Sequence, residues 1–154
     1  MAKLNEGDIA PDFTTKDENG NTVSLRDFAG KEVILYFYPK DDTPGCTAEA
    51  CDFRDNYQSL QAKGFEVLGI SSDDEKSHTK FKSKFSLPFT LLADTDKSIH
   101  EAYGTWVEKN MYGKKYMGTA RHTFLIGKDG NIRKIIEKVD TKNASQQVLE
   151  ALGE

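Results

Sequence analysis

Apolar residues fall along this chain in two rhythms. Val33-Ile-Leu-Tyr-Phe-Tyr38 is an unbroken apolar, β-prone run, the pattern of a strand buried on both faces. Phe65-Glu-Val-Leu-Gly-Ile70 and Thr123-Phe-Leu-Ile126 read the same way. Thr14-Thr15 and Thr22-Val23-Ser24 flank Asn19-Gly20, whose preference for positive φ predicts a hairpin, and Asn131–Ile136 follows a second such signal at Asp129-Gly130. Spacings of three and four mark helices instead. One runs over Pro44–Ala62 and stops before Gly64; others are predicted over Glu75–Phe85, Lys97–Tyr103 and Asn143–Leu152.

The predicted order is hairpin, β, α, β, α, β, α, β-hairpin, α. It specifies an α/β fold: a central mixed sheet, parallel in the middle and antiparallel at one edge, with helices on both faces. A thioredoxin-like architecture with an N-terminal β-hairpin fits this order. The 154 residues carry no repeat or linker and suit one domain over 1–154. A net charge of -4 with interspersed signs leaves no basic track for nucleic acid. The longest apolar run is too short to span a membrane, and the first residues lack a signal-peptide core. The expected location is cytoplasmic, where thiols stay reduced, so the chain's two cysteines point to packing, metal binding or chemistry.

The chemistry lies between Tyr38 and Cys51, where a buried strand gives way to a long helix. Thr43 suits the N-cap and Pro44 the first helical position, which puts Cys46 in the first turn. Unpaired N–H groups and the helix dipole there favour thiolate over thiol. Asp41 and Asp42 oppose this if they point inward, so a cation is required, from Lys40 or a distant arginine. The alternative is that Cys46 only heads the helix's buried stripe, which continues through Ala50, Phe53, Tyr57 and Leu60. Gly45 before the thiol favours chemistry because it opens close backbone access.

Cys51 follows five residues later. On a regular helix that spacing gives a Cα separation near ~8.6 Å, whereas a disulfide needs about 4.4–6.8 Å. Either the two thiols never pair, or the first turn unwinds so that they can.

Pro39-x-x-x-Thr43-x-x-Cys46 resembles the peroxiredoxin active-site motif. Thr43-Pro-Gly-Cys-Thr-Ala-Glu-Ala-Cys-Asp-Phe-Arg-Asp55 is similar to the subgroup called PrxQ or bacterioferritin comigratory protein. Gly7–Phe13, Gly69–Asp73, Phe89–Asp94 and Gly118-x-x-Arg121-x-Thr123–Ile126 extend the match, in order, over nearly the whole chain. The resemblance implies a thioredoxin fold and reduction of hydrogen peroxide and organic hydroperoxides with no cofactor and no metal. It implies Cys46 as the peroxidatic and Cys51 as the resolving cysteine, joined as a disulfide after local unwinding. Thr43 matches the hydroxyl that bonds thiolate and peroxide, and Arg121 the cation on the thiolate. Pro39 matches the residue shielding the site and Glu49 the carboxylate holding the arginine, with Gly45 in the substrate pocket. Thioredoxin is the implied reductant and a monomer the implied state.

Three histidines complete the inventory of reactive groups. His78 and His100 sit in Lys- and Glu-rich helices and are expected on solvated faces, and His122 is expected to pack. None has zinc-finger spacing with a cysteine. Gly104–Trp106 and Met111–Met117 read as an aromatic loop that either walls a peroxide pocket or caps the core. Two rival functions predict different assays. A thiol–disulfide oxidoreductase reduces insulin without peroxide, and a redox-sensing binding module meets peroxide only at ordinary thiol rates.

Overall fold

The computed structural model of the chain describes residues 4–153. Residues 1–3, the start of the segment read as lacking a signal-peptide core, and residue 154 lie outside the described residues. The elements run β1 (Thr14–Asp17), β2 (Thr22–Ser24), a 3₁₀ turn (Leu25–Phe28), β3 (Glu32–Phe37), α1 (Pro44–Ala62), β4 (Phe65–Ser71) and α2 (Glu75–Phe85). Then come β5 (Thr90–Ala93), α3 (Ser98–Ala102), β6 (Trp106–Met111), β7 (Lys114–Thr119), β8 (Thr123–Ile126), β9 (Ile132–Ile136) and α4 (Ala144–Ala151).

Seven strands form one mixed sheet in the order β2-β1-β5-β4-β3-β8-β9. β3, β4 and β5 pair in parallel, joined through helical crossovers. The sequence predicts one antiparallel edge; the sheet has two, β1–β2 on one side and β8–β9 on the other. A short turn returns the chain antiparallel, so each hairpin adds a reversed pair wherever it joins the sheet. In the first hairpin only Gly20 takes positive φ, at 79°.

β3 sits near the middle and explains the two cores. Ile34, Tyr36 and Tyr38 face one side, where they meet Cys46, Ala50, Phe53 and Leu60 of α1, Phe81 of α2 and Val148 of α4. Val33, Leu35 and Phe37 face the other, against Ile99 of α3, Tyr103 and Phe124. Alternation along one strand thus supplies both layers, each large buried side chain being worth roughly 1.5–3 kcal/mol. Tyr36 packs against Phe53 with the rings tilted and their centroids 4.9 Å apart, which fixes α1 over the sheet. Gly69 of β4 permits this, since a Cβ there would lie 2.9 Å from the Tyr36 hydroxyl.

Residues 104–117 are not a loop. Most of them form a two-stranded antiparallel ribbon, β6–β7, paired from Trp106↔Thr119 to Met111↔Lys114. Tyr112 and Gly113 both take positive φ, the backbone of a two-residue primed turn. A bulky tyrosine in that position hid the hairpin from the sequence. Trp106 at the ribbon base packs 5.8 Å from His100, while Tyr112 at the tip is 99% exposed. The base caps the core and the tip projects into solvent.

His78 and His100 are also misread by the sequence: both are wholly buried. His78 shares a helical stripe with Phe81 and Phe85, so it turns inward with them. Each ring then needs a partner, and finds a carboxylate: Asp41 at 2.7 Å for His78 and Asp94 at 2.6 Å for His100. His122 packs near Phe124 and faces Glu137 at 3.9 Å. No helix among the described residues is long and apolar enough to cross a membrane.

Candidate active site

β3 delivers the chain to the site and α1 presents it. Thr43 has the extended backbone of an N-cap and Pro44 opens the helix, so Cys46 falls in the first turn, as the spacing requires. Its side chain is turned to the core and Cys46 is buried. The turn is intact and both cysteines are free, with Cys51 half-buried farther along the same helix.

A cation reaches the Cys46 sulfur from a segment distant in sequence. Arg121 lies in the short link between β7 and β8, and its Nη2–H donates to Cys46 Sγ at 3.3 Å. The other arm, Nη1–H, donates to Glu49 Oε1 at 2.9 Å. One planar guanidinium therefore bridges the sulfur and a wholly buried carboxylate. Desolvation works against the Arg121 charge, but Cys46 and Glu49 outweigh it and hold the guanidinium's pKa above its ordinary value. Gly45 leaves the room: a Cβ there would lie 3.2 Å from Arg121 Nη2.

The other candidate residues lie on the segment between β3 and α1. Pro39 is half-buried where the chain leaves β3. The Thr43 hydroxyl donates to the Lys40 carbonyl at 2.9 Å and makes no cap hydrogen bond in α1. Lys40 is exposed and supplies no ion pair to the sulfur among the described contacts. Asp41 and Asp42 have partners other than the Cys46 sulfur. Asp41 is turned to His78, and Asp42 pairs with Lys84 at 2.8 Å.

The site thus places a thiol in a helix's first turn with a bridging arginine facing it, and comparison with known proteins gives the family. The AhpC/TSA family pattern matches residues 7–135. A putative peroxiredoxin bcp of Coxiella burnetii is 55% identical over 133 residues, 86% of this chain and 88% of that protein. Peroxiredoxin Bcp of Bacillus subtilis is 47% identical over 146 residues, 95% of this chain and 93% of its own. The chain belongs to the AhpC/TSA family, among the Bcp peroxiredoxins. A solved structure of Xanthomonas campestris bacterioferritin comigratory protein, studied for alkyl peroxide reduction, superposes with a TM-score of 0.86 at 37% identity, covering 92% of this chain and 90% of that one. This peroxiredoxin is accordingly a thiol-dependent peroxidase with a thioredoxin-like fold.

Burial pushes the Glu49 carboxyl of the peroxiredoxin up to about 7, against the opposing charge and hydrogen bond of Arg121. Its second oxygen, Oε2, is buried with no partner among the described residues, and so is the Tyr36 hydroxyl. The raised value means that folding favours the protonated acid. Stability from this group is therefore complete below 4.5 and is lost as pH rises through about 7. A shift of this size corresponds to roughly 3 kcal/mol. Glu49→Gln, which cannot ionise, should gain thermal midpoint over the parent as pH climbs from 5 to 8. A gap that stays constant across that range would show that Glu49 holds one charge state.

Two neighbours escaped the sequence reading. Tyr36 reads only as core, yet burial, then Glu49, then Cys46 raise its phenol pKa well above the ordinary value. Lys109 of β6 lies with its stem over Gly118, whose added Cβ would meet Lys109 Cδ at 3.3 Å. Its ammonium pKa is lowered by desolvation and by Arg121, with Cys46 opposing. Inward alternation with Val107 was the available clue, but only once β6 is known to be a strand.

Proposed function

We propose that Cys46 is the peroxidatic cysteine and Cys51 the resolving cysteine of a thioredoxin-recycled peroxidase acting on hydrogen peroxide and organic hydroperoxides. The observation that carries this reading is the 3.3 Å approach of Arg121 to Cys46 Sγ in the first turn of α1. The Xanthomonas relative's alkyl peroxide reduction supports the substrate class.

In the first step the Cys46 thiolate attacks the terminal oxygen of ROOH. The O–O bond breaks, sulfur becomes sulfenic acid, and RO⁻ leaves and takes a proton to become ROH. Arg121 holds the anionic sulfur before attack and faces the charge that moves onto the departing oxygen. Glu49 fixes the guanidinium, and Gly45 admits it. Pro39 shields the sulfur, and the Thr43 hydroxyl leaves the Lys40 carbonyl to bond the peroxide.

In the second step Cys51 sulfur attacks the Cys46 sulfenic acid and water leaves, forming a disulfide. The intact helix forbids this, because positions five apart stand near ~8.6 Å, so the first turn unwinds first. A dithiol of the thioredoxin kind then exchanges with the disulfide and returns both thiols. No cofactor enters this sequence, and the reading is of a cytoplasmic monomer.

Cys51→Ser tests the second step. It should leave the first oxidation of Cys46 at the parent rate while cutting thioredoxin-coupled turnover at least ~100-fold, to the slow attack of external thiols. Stopped-flow oxidation and a thioredoxin-coupled assay read the two steps separately. Coupled turnover that survives without added thiol would assign resolution to another group.

A further inference from the structure

Behind the loop carrying Pro39 and Thr43 lies a buried polar cluster that the peroxidase steps do not use. Asp41 Oδ1 accepts from the Tyr38 hydroxyl at 2.6 Å, and Oδ2 accepts from the Ser77 hydroxyl at 2.8 Å and from His78 Nδ1 at 2.7 Å. His78 is wholly buried, and its other nitrogen, Nε2, donates to the Leu92 carbonyl at 2.8 Å. The Leu92 carbonyl accepts only, so Nε2 carries a proton, and a second proton lies in the short contact between Nδ1 and the Asp41 carboxyl. The Asp41 backbone N–H donates to Asp73 Oδ2 at 2.8 Å, an oxygen that also accepts from the Ser71 hydroxyl.

One loop residue is thereby tied to four places. Tyr38 follows β3, Ser71 and Asp73 end β4, Ser77 and His78 open α2, and His78 reaches Leu92 of β5. The next residue, Asp42, holds φ at 57°, a left-handed conformation that costs energy for a residue with a Cβ. Thr43 and α1 follow at once. Strained backbone is thus pinned between a buried histidine–carboxyl pair and the turn that must unwind.

We propose that His78 is a positioning residue: through Asp41 it latches the 39–43 loop and the first turn of α1 in the attack-ready form, and releasing the latch favours the unwound form in which Cys51 reaches Cys46. The inference rests on the cysteine roles given above and adds what sets the balance between the two forms. A latch of this kind acts in opposite directions on the two steps. Weakening it slows attack on peroxide, which needs the folded turn, and speeds disulfide formation, which needs the unwound one. Faster resolution also leaves less sulfenic acid for a second peroxide, so less sulfinic acid accumulates.

The latch responds to pH. The groups facing His78 are Tyr38 and Asp41 from the β3 side, Asp73 from the end of β4, and the Leu92 carbonyl from β5. Burial alone would push the imidazole down; the hydrogen bond and charge of Asp41, then Leu92 and Asp73, raise it above 6.5 instead. A raised folded value means that the latch is at full strength below 6.5 and weakens as pH climbs through the folded value.

His78→Asn keeps a donor in the Nδ1 position and removes the charge; His78→Leu removes both. Single-turnover measurements on each variant should show attack slowed and disulfide formation accelerated, by roughly tenfold for the leucine and less for the asparagine. Sulfinic acid under excess peroxide should fall, and the parent's rise of disulfide rate above pH 6.5 should flatten. Both rates unchanged, or both falling together with the thermal midpoint, would overturn the proposal. Should the histidine variants not fold, Tyr38→Phe removes one tie to Asp41 with packing kept, and it must shift the two rates in the same opposed directions. The underlying cysteine assignment fails separately, if the parent itself forms no Cys46–Cys51 disulfide.

Discussion

Cys46→Ser should abolish hydroperoxide consumption while leaving the fold intact. The substitution exchanges one atom in a buried first turn, so the Phe53 and Tyr36 packing beneath α1 is untouched and stability should move by no more than about 1 kcal/mol. What is lost is the nucleophile. A serine hydroxyl stays protonated unless a base takes its proton, and no base among the described residues is aimed there. The nearby carboxylate, Glu49, is turned to Arg121 through its one bonded oxygen. Cys51 cannot substitute, since it lies farther along α1 and the Arg121 donor is committed to position 46. Peroxide loss should drop to the rate of the buffer, read by any direct peroxide assay. Turnover above a tenth of the parent's would remove Cys46 from the reaction.

Arg121→Leu should act on two quantities that a second substitution can separate. Removal of a donor aimed at developing charge lowers the rate of peroxide attack by about 10²–10³-fold. The same change strands Glu49, a wholly buried acid whose bonded oxygen loses its partner, and an unsatisfied buried polar group of this kind costs about 1–3 kcal/mol. The double variant Arg121→Leu with Glu49→Gln removes the stranded acid, so most of the lost stability should return. The rate should not, because no guanidinium then donates to the sulfur. Recovery of both together would make Arg121 a structural residue only. Recovery of neither would locate the damage outside the pair.

How far the sequence reaches is visible residue by residue. The bounds of α1, the buried run of β3 and the place of Cys46 in a first turn follow from local rules, because caps, apolar runs and helix starts are written in neighbouring residues. Arg121 is 75 positions from Cys46, and only the family resemblance linked them. His78 went astray for a similar reason. Its helix is rich in lysine, and the carboxylate that makes burial tolerable is 37 positions away. The β6–β7 ribbon was missed because Tyr112 takes a left-handed conformation that its side chain disfavours, so Gly113 alone announces the turn. Both antiparallel edges of the sheet follow from the hairpins, but where each hairpin attaches is decided by long-range pairing.

The projecting ribbon bears on what a hydroperoxide meets besides the intended sulfur. Met111 and Met117 are 56% and 50% exposed, on strands that lead into the link holding Arg121. Thioethers take oxygen from peroxides without needing ionisation, and the product is a polar sulfoxide. Neither side chain belongs to either core. Stray oxidant that marks these positions would therefore change the texture of the rim while leaving the folded body as it was.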